Sequence, residues 1–395
     1  MKIGIYGGTF DPIHRGHITA AQAAAQQLGL DLLLLIPASI PPHKALPEGG
    51  ADAAQRLEMA TLATAELSCP AQVLDVEVRR QGKSYTADTL RTLRRQYPED
   101  ELWLLMGTDM FLSLQDWREP QEILRLVRVA AFSRTGDPEQ QRFARQKAYL
   151  EETFGAQVAV VENPHVVDIS STRLRQLLPE GREYLPEAVY GYILRQRLYG
   201  THAELKHLTP EELRPIALSF LKPKRMPHVL GTEQEAIRLA RRYGADETDA
   251  RIAALLHDCT KKLDMEQQLA LCRRYDIRLD ELEQHALKLL HAKTGAAVAR
   301  DIFGVKDAVY EAIRWHTTGK PDMTLLEKVI YLADYIEPNR DFPGVERLRR
   351  AVYDDLDKGL LMGLSDTIDE MERMGNPVHH DTLEARDFLL RGEAK

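Results

Sequence analysis

The sequence has few cysteines and no long apolar segment. Three cysteines occur among 395 residues, Cys69, Cys259 and Cys272, and none belongs to a CxxC motif. A scattered, odd number of cysteines argues against a disulfide framework and favours free thiols in a reducing, cytoplasmic compartment. The most apolar run, from Leu32 to Pro37, is far shorter than the ~20 residues that span a bilayer. A strand pattern starts at Lys2, so neither a signal peptide nor a membrane segment is expected.

A surplus of basic residues is also missing. Lys and Arg total 52, Asp and Glu total 60, and the formal net charge is -8. A nucleic-acid partner is therefore not expected, because binding to a phosphate backbone usually needs a basic surface. The hydrophobic share of 44% and the charged share of 28% are those of an ordinary folded protein. Small phosphorylated substrates stay compatible with the composition, since one pocket can be basic in an acidic chain.

The length favours two domains, which we place at residues 1–202 and 203–395, because single cores usually stop growing below this size. The first domain alternates strand-like and helical patterns, which predicts an α/β fold with a Rossmann-like, doubly wound parallel sheet. The predicted strands are Lys2–Tyr6, Asp31–Pro37, Val73–Val78, Leu102–Met106, Val127–Phe132 and Val158–Val161. The predicted helices are Gly16–Leu28, Ala51–Leu67, Ala87–Tyr97, capped by Thr86, and Glu139–Glu152.

The second domain is predicted to be all α. From about Thr201 the strand-like runs disappear and helical patterns rich in Leu, Ala, Arg and Glu take over. Nine of the 13 histidines lie beyond residue 200, a segregation that helix packing does not require. Chemistry based on histidine is therefore expected in this domain.

A glycine- and histidine-rich loop follows the first predicted strand. It contains Gly7, Gly8, Thr9, Phe10, His14, Gly16 and His17, and it runs directly into a predicted helix. Glycines let backbone N–H groups approach an anion, and a helix N-terminus adds donors and a favourable dipole. The two histidines flank Gly16, where they can donate hydrogen bonds to a triphosphate. Turn glycines and capping histidines are the plainer alternative.

A second hydroxyl-rich motif lies at residues 169–175, with the sequence ISSTRLR. Hydroxyls followed by an arginine at a helix start can form an anion site. Taken alone, this pattern is equally an ordinary helix cap with a solvated arginine. Its pairing with the first motif favours an anion site built from Ser171, Thr172 and Arg175.

Together these motifs resemble the (H/T)xGH and ISSTxxR signatures of the nucleotidylyltransferase superfamily. The middle of the domain is similar to nicotinate mononucleotide adenylyltransferase in the segments IPASIPPHK (36–44), SYTADTL (84–90) and MGTD (106–109), in Arg56 and in Trp117. The resemblance covers residues 1–200. It implies transfer of AMP from ATP to nicotinate mononucleotide with Mg²⁺. Another adenylyl- or cytidylyltransferase is the alternative.

The resemblance also implies roles for individual residues. It makes His14 and His17 catalytic and assigns the ATP phosphates to Gly7, Gly8, Thr9, Phe10, Ser171, Thr172 and Arg175. The mononucleotide contacts that it implies are Lys44, Tyr85, Thr86, Asp109, Trp117 and Arg134. An aromatic face suits an electron-poor pyridine ring, which is a physical reason to expect Trp117 in the pocket.

The second domain carries an ordered series of histidines and aspartates. The series is His228, the adjacent pair His257 and Asp258, His291, His316 and Asp334. Mixed imidazole and carboxylate ligands suit iron, manganese, nickel or zinc, and six such groups are enough for two ions. The adjacent pair ends an apolar helix, where a buried charge without a partner would be costly. We therefore expect two metal ions that share Asp258 as a bridge.

This series resembles an HD-domain phosphohydrolase of the family that cleaves diadenosine tetraphosphate symmetrically into two ADP. The resemblance covers about residues 205–390 and implies that the six residues are metal ligands, with iron as the first choice. It also implies Lys261 as a catalytic residue and Arg314 and Arg340 as phosphate contacts. A nucleotidase, a non-catalytic nucleotide-binding module and a structural helical cap are the alternatives.

The sequence leaves some properties open. A homo-oligomer is compatible with it, and the preference for nicotinate over nicotinamide stays undecided. The remaining histidines beyond residue 200 are expected on the surface. They are His202, His207, His285, His379 and His380.

Overall fold

The structure is a computed structural model that describes residues 1–40, 49–80, 83–133, 137–162 and 167–392, except for the side chains of residues 133 and 137–139. The chain divides into two compact units, Met1–His202 and Ala203–Lys395. Among the described residues, no helix has both the length and the apolar character needed to cross a membrane.

The N-terminal unit contains a parallel sheet of six strands. The strands are β1 (Lys2–Gly8), β2 (Leu32–Pro37), β3 (Ala71–Val73), β4 (Glu101–Met106), β5 (Arg128–Ser133) and β6 (Val158–Glu162). They lie in the order β3-β2-β1-β4-β5-β6, and every neighbouring pair is parallel. This order confirms the predicted doubly wound sheet. The order reverses between β1 and β4, where ligands bind in such folds.

Helices connect the strands of this unit. They are α1 (Arg15–Leu28), α2 (Ala53–Ala63), α3 (Thr86–Gln96), α4 (Thr108–Leu112), α5 (Pro120–Leu126), α6 (Asp137–Phe154), α7 (Ser171–Leu177) and α8 (Glu187–Gln196). Short 3-10 turns occur at Thr64–Glu66, Leu114–Asp116, Arg182–Tyr184 and Leu198–Gly200. The central strands are continuously apolar because helices cover both faces of the sheet. Leu33 and Leu34 of β2, for example, are 0% exposed.

Two local predictions in this unit were wrong. The third strand covers only Ala71–Val73, since its register with β2 ends there and the chain turns at Asp75, whose carbonyl oxygen accepts from the Arg79 N–H. Thr86 is the first residue of α3 and Tyr85 holds the cap position. The predicted side-chain cap is therefore absent from this helix start.

The C-terminal unit is helical, which confirms the all-α prediction, and its described part, residues 203–392, contains no strand. Its helices are α9 (Pro210–Leu218), α10 (Met226–Tyr243), α11 (Glu247–Leu256), α12 (Met265–Arg274), α13 (Leu287–Phe303), α14 (Asp307–Trp315), α15 (Leu325–Ile336), α16 (Val345–Asp354), α17 (Leu356–Arg373) and α18 (His380–Leu390). A 3-10 turn at Pro223–Arg225 precedes α10. Helix α10 packs against α11 and α15, and α13 packs against α14.

Candidate active sites

The loop after β1 is shaped by its glycines. A Cβ on Gly7 would meet no described atom within 4 Å, so this residue borders open space. A Cβ on Gly16 would lie 3.0 Å from the His14 ring and 3.2 Å from the carbonyl oxygen of Val167. Glycine at position 16 therefore allows the first turn of α1 to pack closely against the His14 ring.

His14 and His17 lie side by side at the start of α1, with their ring centroids 3.8 Å apart. The His14 backbone N–H donates to His17 Nδ1 at 3.2 Å. Because Nδ1 accepts, a neutral His17 ring carries its proton on Nε2, which becomes a donor. Burial lowers the pKa of His14 to about 4. Burial and then the neighbouring His14 lower the pKa of His17 well below its ordinary value, so both rings are neutral at neutral pH.

The second predicted phosphate motif packs against the first. The Ser171 hydroxyl donates to the Pro12 carbonyl oxygen at 3.0 Å. Arg175 Nη1 donates to the Asp11 carbonyl oxygen at 2.6 Å, and Nη2 donates to Thr172 Oγ1 at 3.3 Å. The structure thus brings the two motifs together, and the start of α7 holds the loop that carries the first one.

A cavity of about 310 Å³ opens where β1 and β4 end. Its lining includes Gly7, Gly8, Thr9, Glu77, Tyr85, Thr86, Met106, Gly107, Met110, Trp117 and Arg118. The Arg118 guanidinium lies 4.4 Å from the centre of the Tyr85 ring. Glu77, which the sequence did not single out, accepts from the Thr89 hydroxyl at 2.8 Å, and burial raises the pKa of its carboxyl. The cavity combines aromatic faces with hydroxyl and backbone donors.

Three of the predicted mononucleotide contacts are not among the described lining of this cavity. Asp109 is exposed in the first turn of α4 and does not line it. Lys44 and Arg134 lie outside the described residues. Tyr85, Thr86 and Trp117 do line it, so the structure brings half of the predicted set together.

Arg56, a mark of the family resemblance, makes structural contacts. Its side chain is 0% exposed, and its guanidinium donates to the carbonyl oxygens of Thr9 at 2.8 Å and Ser39 at 3.0 Å, and also to that of Ala38. Arg56 therefore ties together the loops that follow β1 and β2, beside the cavity.

The C-terminal unit brings all six predicted metal ligands into one cluster. His228 lies in the first turn of α10, His257 and Asp258 follow α11, His291 is on α13, His316 follows α14, and Asp334 is on α15. His257 and Asp258 are 0% exposed. Five helices thus converge on one buried, polar point.

Asp258 lies at the centre of the cluster, with one carboxylate oxygen towards each half. Its Oδ2 is 3.4 Å from His257 Nε2 and 4.0 Å from His228 Nε2. Its Oδ1 is 3.3 Å from His291 Nε2 and 4.0 Å from His316 Nε2. Each oxygen of the Asp258 carboxylate therefore faces two imidazole rings.

Several atoms that face the cluster lack hydrogen bonds. Among the described residues, His228 Nε2, His257 Nε2 and Asp258 Oδ1 are buried and make no well-formed hydrogen bond, although His228 Nε2 lies 2.8 Å from Asp334 Oδ1. Within this cluster, two sets have ligand atoms that all lie within 4.8 Å of one another: His228, His257 and Asp334, and His257, Asp258 and His316. Unpartnered buried polar atoms are costly, and converging imidazoles and carboxylates are what a divalent metal accepts. The residues present therefore fit a metal site.

The electrostatics of the cluster favour ionised carboxylates and neutral rings at His291 and His316, but a protonated ring at His257. Burial opposes ionisation of Asp258 and Asp334, yet the neighbouring histidines outweigh it and hold the pKa of each carboxyl well below its ordinary value. Burial lowers the pKa of His291 and of His316. For His257 burial acts the same way, but the adjacent carboxylates prevail and raise the pKa. Carboxylates and neutral imidazoles are the metal-binding forms.

Each histidine of the cluster is also held through its other ring nitrogen. In His257, His291 and His316, Nδ1 lies 2.7, 2.8 and 2.6 Å from the carbonyl oxygen three residues earlier. In His228, Nδ1 lies 3.1 Å from Glu337 Oε1. A ring that donates from Nδ1 presents the lone pair of Nε2, as a metal ligand must. Sequence analysis missed Glu337.

Three basic side chains border the cluster. Lys261 Nζ lies 3.9 Å from Asp258 Oδ1, and Arg340 Nη2 donates to Asp334 Oδ1 at 2.8 Å. Arg225, which sequence analysis also missed, forms an ion pair with Asp258 and is 28% exposed. Burial lowers the pKa of Lys261. The cluster is therefore bordered by basic side chains that contact its carboxylates.

Two predictions concern residues outside the cluster, namely Arg314 and the histidines expected on the surface. Arg314 lies 4.9 Å from the centre of the Trp315 ring, so its observed contact is with its neighbour. The prediction of a surface His379 was wrong: it is 5% exposed because it caps α18, accepting from the Asp381 N–H at 3.3 Å, with Asp280 Oδ2 3.1 Å from its Nε2. The other four histidines, His202, His207, His285 and His380, are exposed as predicted.

Known proteins resemble the two halves separately. A cytidylyltransferase-like family model matches residues 5–177, and an HD domain model matches residues 225–339. The chain is 43% identical over 209 residues to a protein of Gloeobacter violaceus named a probable nicotinate-nucleotide adenylyltransferase. This match covers 51% of this chain and 98% of that protein. The chain is 41% identical over 179 residues to a protein of Halalkalibacterium halodurans named a symmetrical bis(5'-nucleosyl)-tetraphosphatase, spanning 44% of this chain and 95% of that protein.

A solved structure also resembles the C-terminal half. It is that of a predicted HD superfamily hydrolase involved in NAD metabolism from Clostridium acetobutylicum, with 41% identity and a TM-score of 0.46 over 47% of this chain and 98% of that one. The two relatives above are each matched over nearly their whole length, and the sequence resemblances are thereby confirmed. The chain belongs to the cytidylyltransferase-like family in its N-terminal half and to the HD-domain family in its C-terminal half.

Proposed function

We propose that the chain is a bifunctional enzyme whose residues 1–202 transfer AMP from ATP to nicotinate mononucleotide. The main observation for this half is the pair of adjacent histidines at the start of α1, which follow the loop whose residues Gly7, Gly8 and Thr9 line a cavity at the switch point of the sheet. The likeness to the named adenylyltransferase of Gloeobacter violaceus supports the choice of substrate.

In the proposed reaction a phosphate oxygen of the mononucleotide forms a bond to the α-phosphorus of ATP. The bond between that phosphorus and the β-phosphate bridging oxygen breaks, and pyrophosphate leaves with the electron pair. His17 donates from Nε2 to the phosphate oxygens as charge builds up, and His14 lies beside it. Mg²⁺ that enters with ATP offsets part of the charge. No protein nucleophile is needed, since positioning and charge stabilisation accelerate such transfers.

The cavity supplies the acceptor site in this proposal. Trp117 offers a face for the pyridine ring, and the hydroxyl and backbone N–H of Thr86 at the start of α3 offer donors for its carboxylate. We keep Asp109, Lys44 and Arg134 as proposed contacts for the rest of the mononucleotide.

A substrate panel tests the first activity. The full chain is given ATP with nicotinate mononucleotide, nicotinamide mononucleotide or phosphopantetheine, and pyrophosphate and dinucleotide are measured. We expect nicotinate mononucleotide to give the highest kcat/KM, and His17→Ala to lower kcat by about 100-fold or more through loss of a donor. Hydrolysis by the same variant serves as the control for folding. A wild-type transfer rate in His17→Ala would contradict the assignment.

We propose further that residues 203–395 hydrolyse dinucleoside polyphosphates such as diadenosine tetraphosphate. The main observation for this half is the buried cluster centred on Asp258, where converging imidazole and carboxylate atoms lack well-formed hydrogen bonds. The six clustered residues would hold a pair of metal ions, with iron as the proposed occupant. Such a pair activates water and stabilises charge on phosphate oxygens.

The protein's own side chains handle the substrate charge. Lys261, Arg340 and Arg225 border the cluster and would bind the polyphosphate, with Arg314 as a more distant contact. Water adds its oxygen to one of the two central phosphorus atoms, and the oxygen bridge between these phosphates breaks. The leaving phosphate takes up a proton, so one water and one diadenosine tetraphosphate give two ADP.

Product analysis tests the second activity. The metal-loaded chain is given diadenosine tetraphosphate, and nucleotides are separated with and without prior chelation. We expect ADP as the product, loss of turnover after chelation, and restoration by added metal. Asp258→Ala should abolish hydrolysis while adenylyl transfer continues. AMP and ATP as products would contradict symmetrical cleavage. Release of phosphate from a mononucleotide with diadenosine tetraphosphate left intact would favour the nucleotidase alternative, and tight binding without turnover would favour the regulatory one.

A further inference from the structure

Glu337 is a buried carboxylate at the end of α15, and both of its oxygens are engaged. The side chain is 1% exposed. Its Oε1 lies 3.1 Å from His228 Nδ1, while its Oε2 accepts from the Asn339 backbone N–H at 2.7 Å and from Asn339 Nδ2 at 2.9 Å. A carboxylate with a donor on each oxygen is fixed in orientation, so the ring that it contacts is fixed as well.

Gly231 makes room for this carboxylate. It lies three residues after His228, on the same face of α10. A Cβ at position 231 would come within 2.2 Å of Glu337 Oε2 and 2.8 Å of Asn339 Nδ2. Glycine inside a helix is less stable than alanine, so its presence in the middle of α10 needs a reason. The approach of Glu337 to His228 is such a reason.

The turn that carries Glu337 is itself held in place. Arg349 Nη2 donates to the carbonyl oxygens of Glu337 at 2.7 Å and Arg340 at 3.1 Å, and its Nε donates to that of Ile336 at 2.9 Å. The backbone on both sides of Glu337 is therefore anchored to α16. The carboxylate cannot leave His228 without breaking these contacts or those of Asn339.

His228 is thus the one histidine of the cluster for which a carboxylate, rather than a backbone carbonyl, is the described acceptor of Nδ1–H. An anionic acceptor fixes the tautomer and makes Nε2 a stronger ligand. That Nε2 is buried and faces Asp334 Oδ1 at 2.8 Å, without a well-formed hydrogen bond. We infer that Glu337 is a positioning residue that presents His228 to a metal ion and that Gly231 is required to admit it. The inference rests on the proposed metal site.

Metal affinity, rather than activity alone, tests this inference. Zn²⁺ is titrated into the metal-free full chain in competition with a chromophoric chelator. The Zn²⁺ that the Asp258→Ala variant still binds is taken as binding outside the cluster and is subtracted from each titration. The variants are Glu337→Gln, which keeps an acceptor without the charge, Glu337→Ala, and Gly231→Ala. The control is Glu327→Gln, because Glu327 is also 1% exposed on α15 but caps the other end of the helix, accepting from the Thr324 N–H at 2.7 Å. Unfolding midpoints are measured without metal.

We expect Zn²⁺ affinity to fall by about 10–100-fold in Glu337→Ala, less in Glu337→Gln, and to fall also in Gly231→Ala. Glu327→Gln should shift the unfolding midpoint and leave the affinity unchanged. If the Glu337 and Gly231 variants bind Zn²⁺ as tightly as the wild type, or lose affinity only as much as Glu327→Gln does, the inference is overturned. A wild type that binds no Zn²⁺ would refute the metal site itself, and a metal-binding wild type without hydrolysis would refute only the proposed activity.

Discussion

Replacing Gly16 by alanine should slow adenylyl transfer without unfolding the protein. The added Cβ would lie 3.0 Å from two atoms of the His14 ring and 3.2 Å from the Val167 carbonyl oxygen, whereas ordinary contacts begin near 3.4 Å. The ring must therefore move by several tenths of an ångström. A displacement of 1 Å at a catalytic group can lower the reaction rate by about 100-fold. A displacement of roughly half an ångström therefore predicts about a tenfold loss in kcat, which corresponds to ~1.4 kcal/mol in the activation free energy.

The stability of the variant should change little, because alanine in the first turn of α1 gains about 0.5–1 kcal/mol over glycine and offsets the contact. Steady-state kinetics of pyrophosphate release measure kcat and KM separately. The matched variant is Gly7→Ala, whose Cβ would meet no described atom within 4 Å and would project towards the substrate space. It should raise KM more than it lowers kcat. An unchanged kcat in Gly16→Ala, with a normal unfolding midpoint, would refute the importance of the His14 position.

Three further predictions concern single side chains. Because burial lowers the pKa of His14 from 6.5 to about 4, its contribution to stability is complete above pH 6.5 and declines as the pH falls towards 4. Wild type should therefore lose more stability than His14→Gln over that range in urea unfolding, and parallel losses would count against a buried neutral ring. Arg225→Gln should raise KM for diadenosine tetraphosphate by about tenfold, as expected for one charge-assisted hydrogen bond. The metal content of the Arg225→Gln variant should stay unchanged. If Arg314→Gln raised this KM more than Arg225→Gln does, Arg314 rather than Arg225 would be the closer phosphate contact. Trp117→Ala should raise KM for nicotinate mononucleotide by about tenfold and KM for ATP much less, so equal changes in both would argue against ring stacking.

The parts of the molecule that sequence could predict are those whose signal is local. The glycines and histidines from Gly7 to His17 follow a strand directly, and the chemistry of an anion site can be argued from that context alone. The adjacent pair His257 and Asp258 likewise predicts a metal site in which Asp258 is shared. In the structure one oxygen of Asp258 faces His257 and the other faces His291. The third strand was misplaced because the alternation from Val73 to Val78 is local, whereas pairing with β2 decides where a strand ends.

The residues that sequence analysis missed depend on distant partners. Arg225 meets Asp258 across 33 positions, and Glu337 meets His228 across 109 positions. A carboxylate beside Pro338 and Asn339 has the pattern of a surface turn, so nothing local marks it as buried. One available signal was Gly231, since a glycine inside a strongly amphipathic helix indicates a close neighbour. His379 was misjudged for the same reason, because its burial comes from the turn that carries Asp280.

The most direct test of the proposed hydrolase centre is to locate the metal ions. Crystals of the full chain loaded with iron or manganese would be measured at the absorption edge of the metal. We predict two anomalous peaks about 3.5–4 Å apart, with the Asp258 carboxylate between them. His228, His257 and Asp334 should surround one peak, and His291 and His316 the other. A single peak, or peaks away from Asp258, would contradict the two-ion centre.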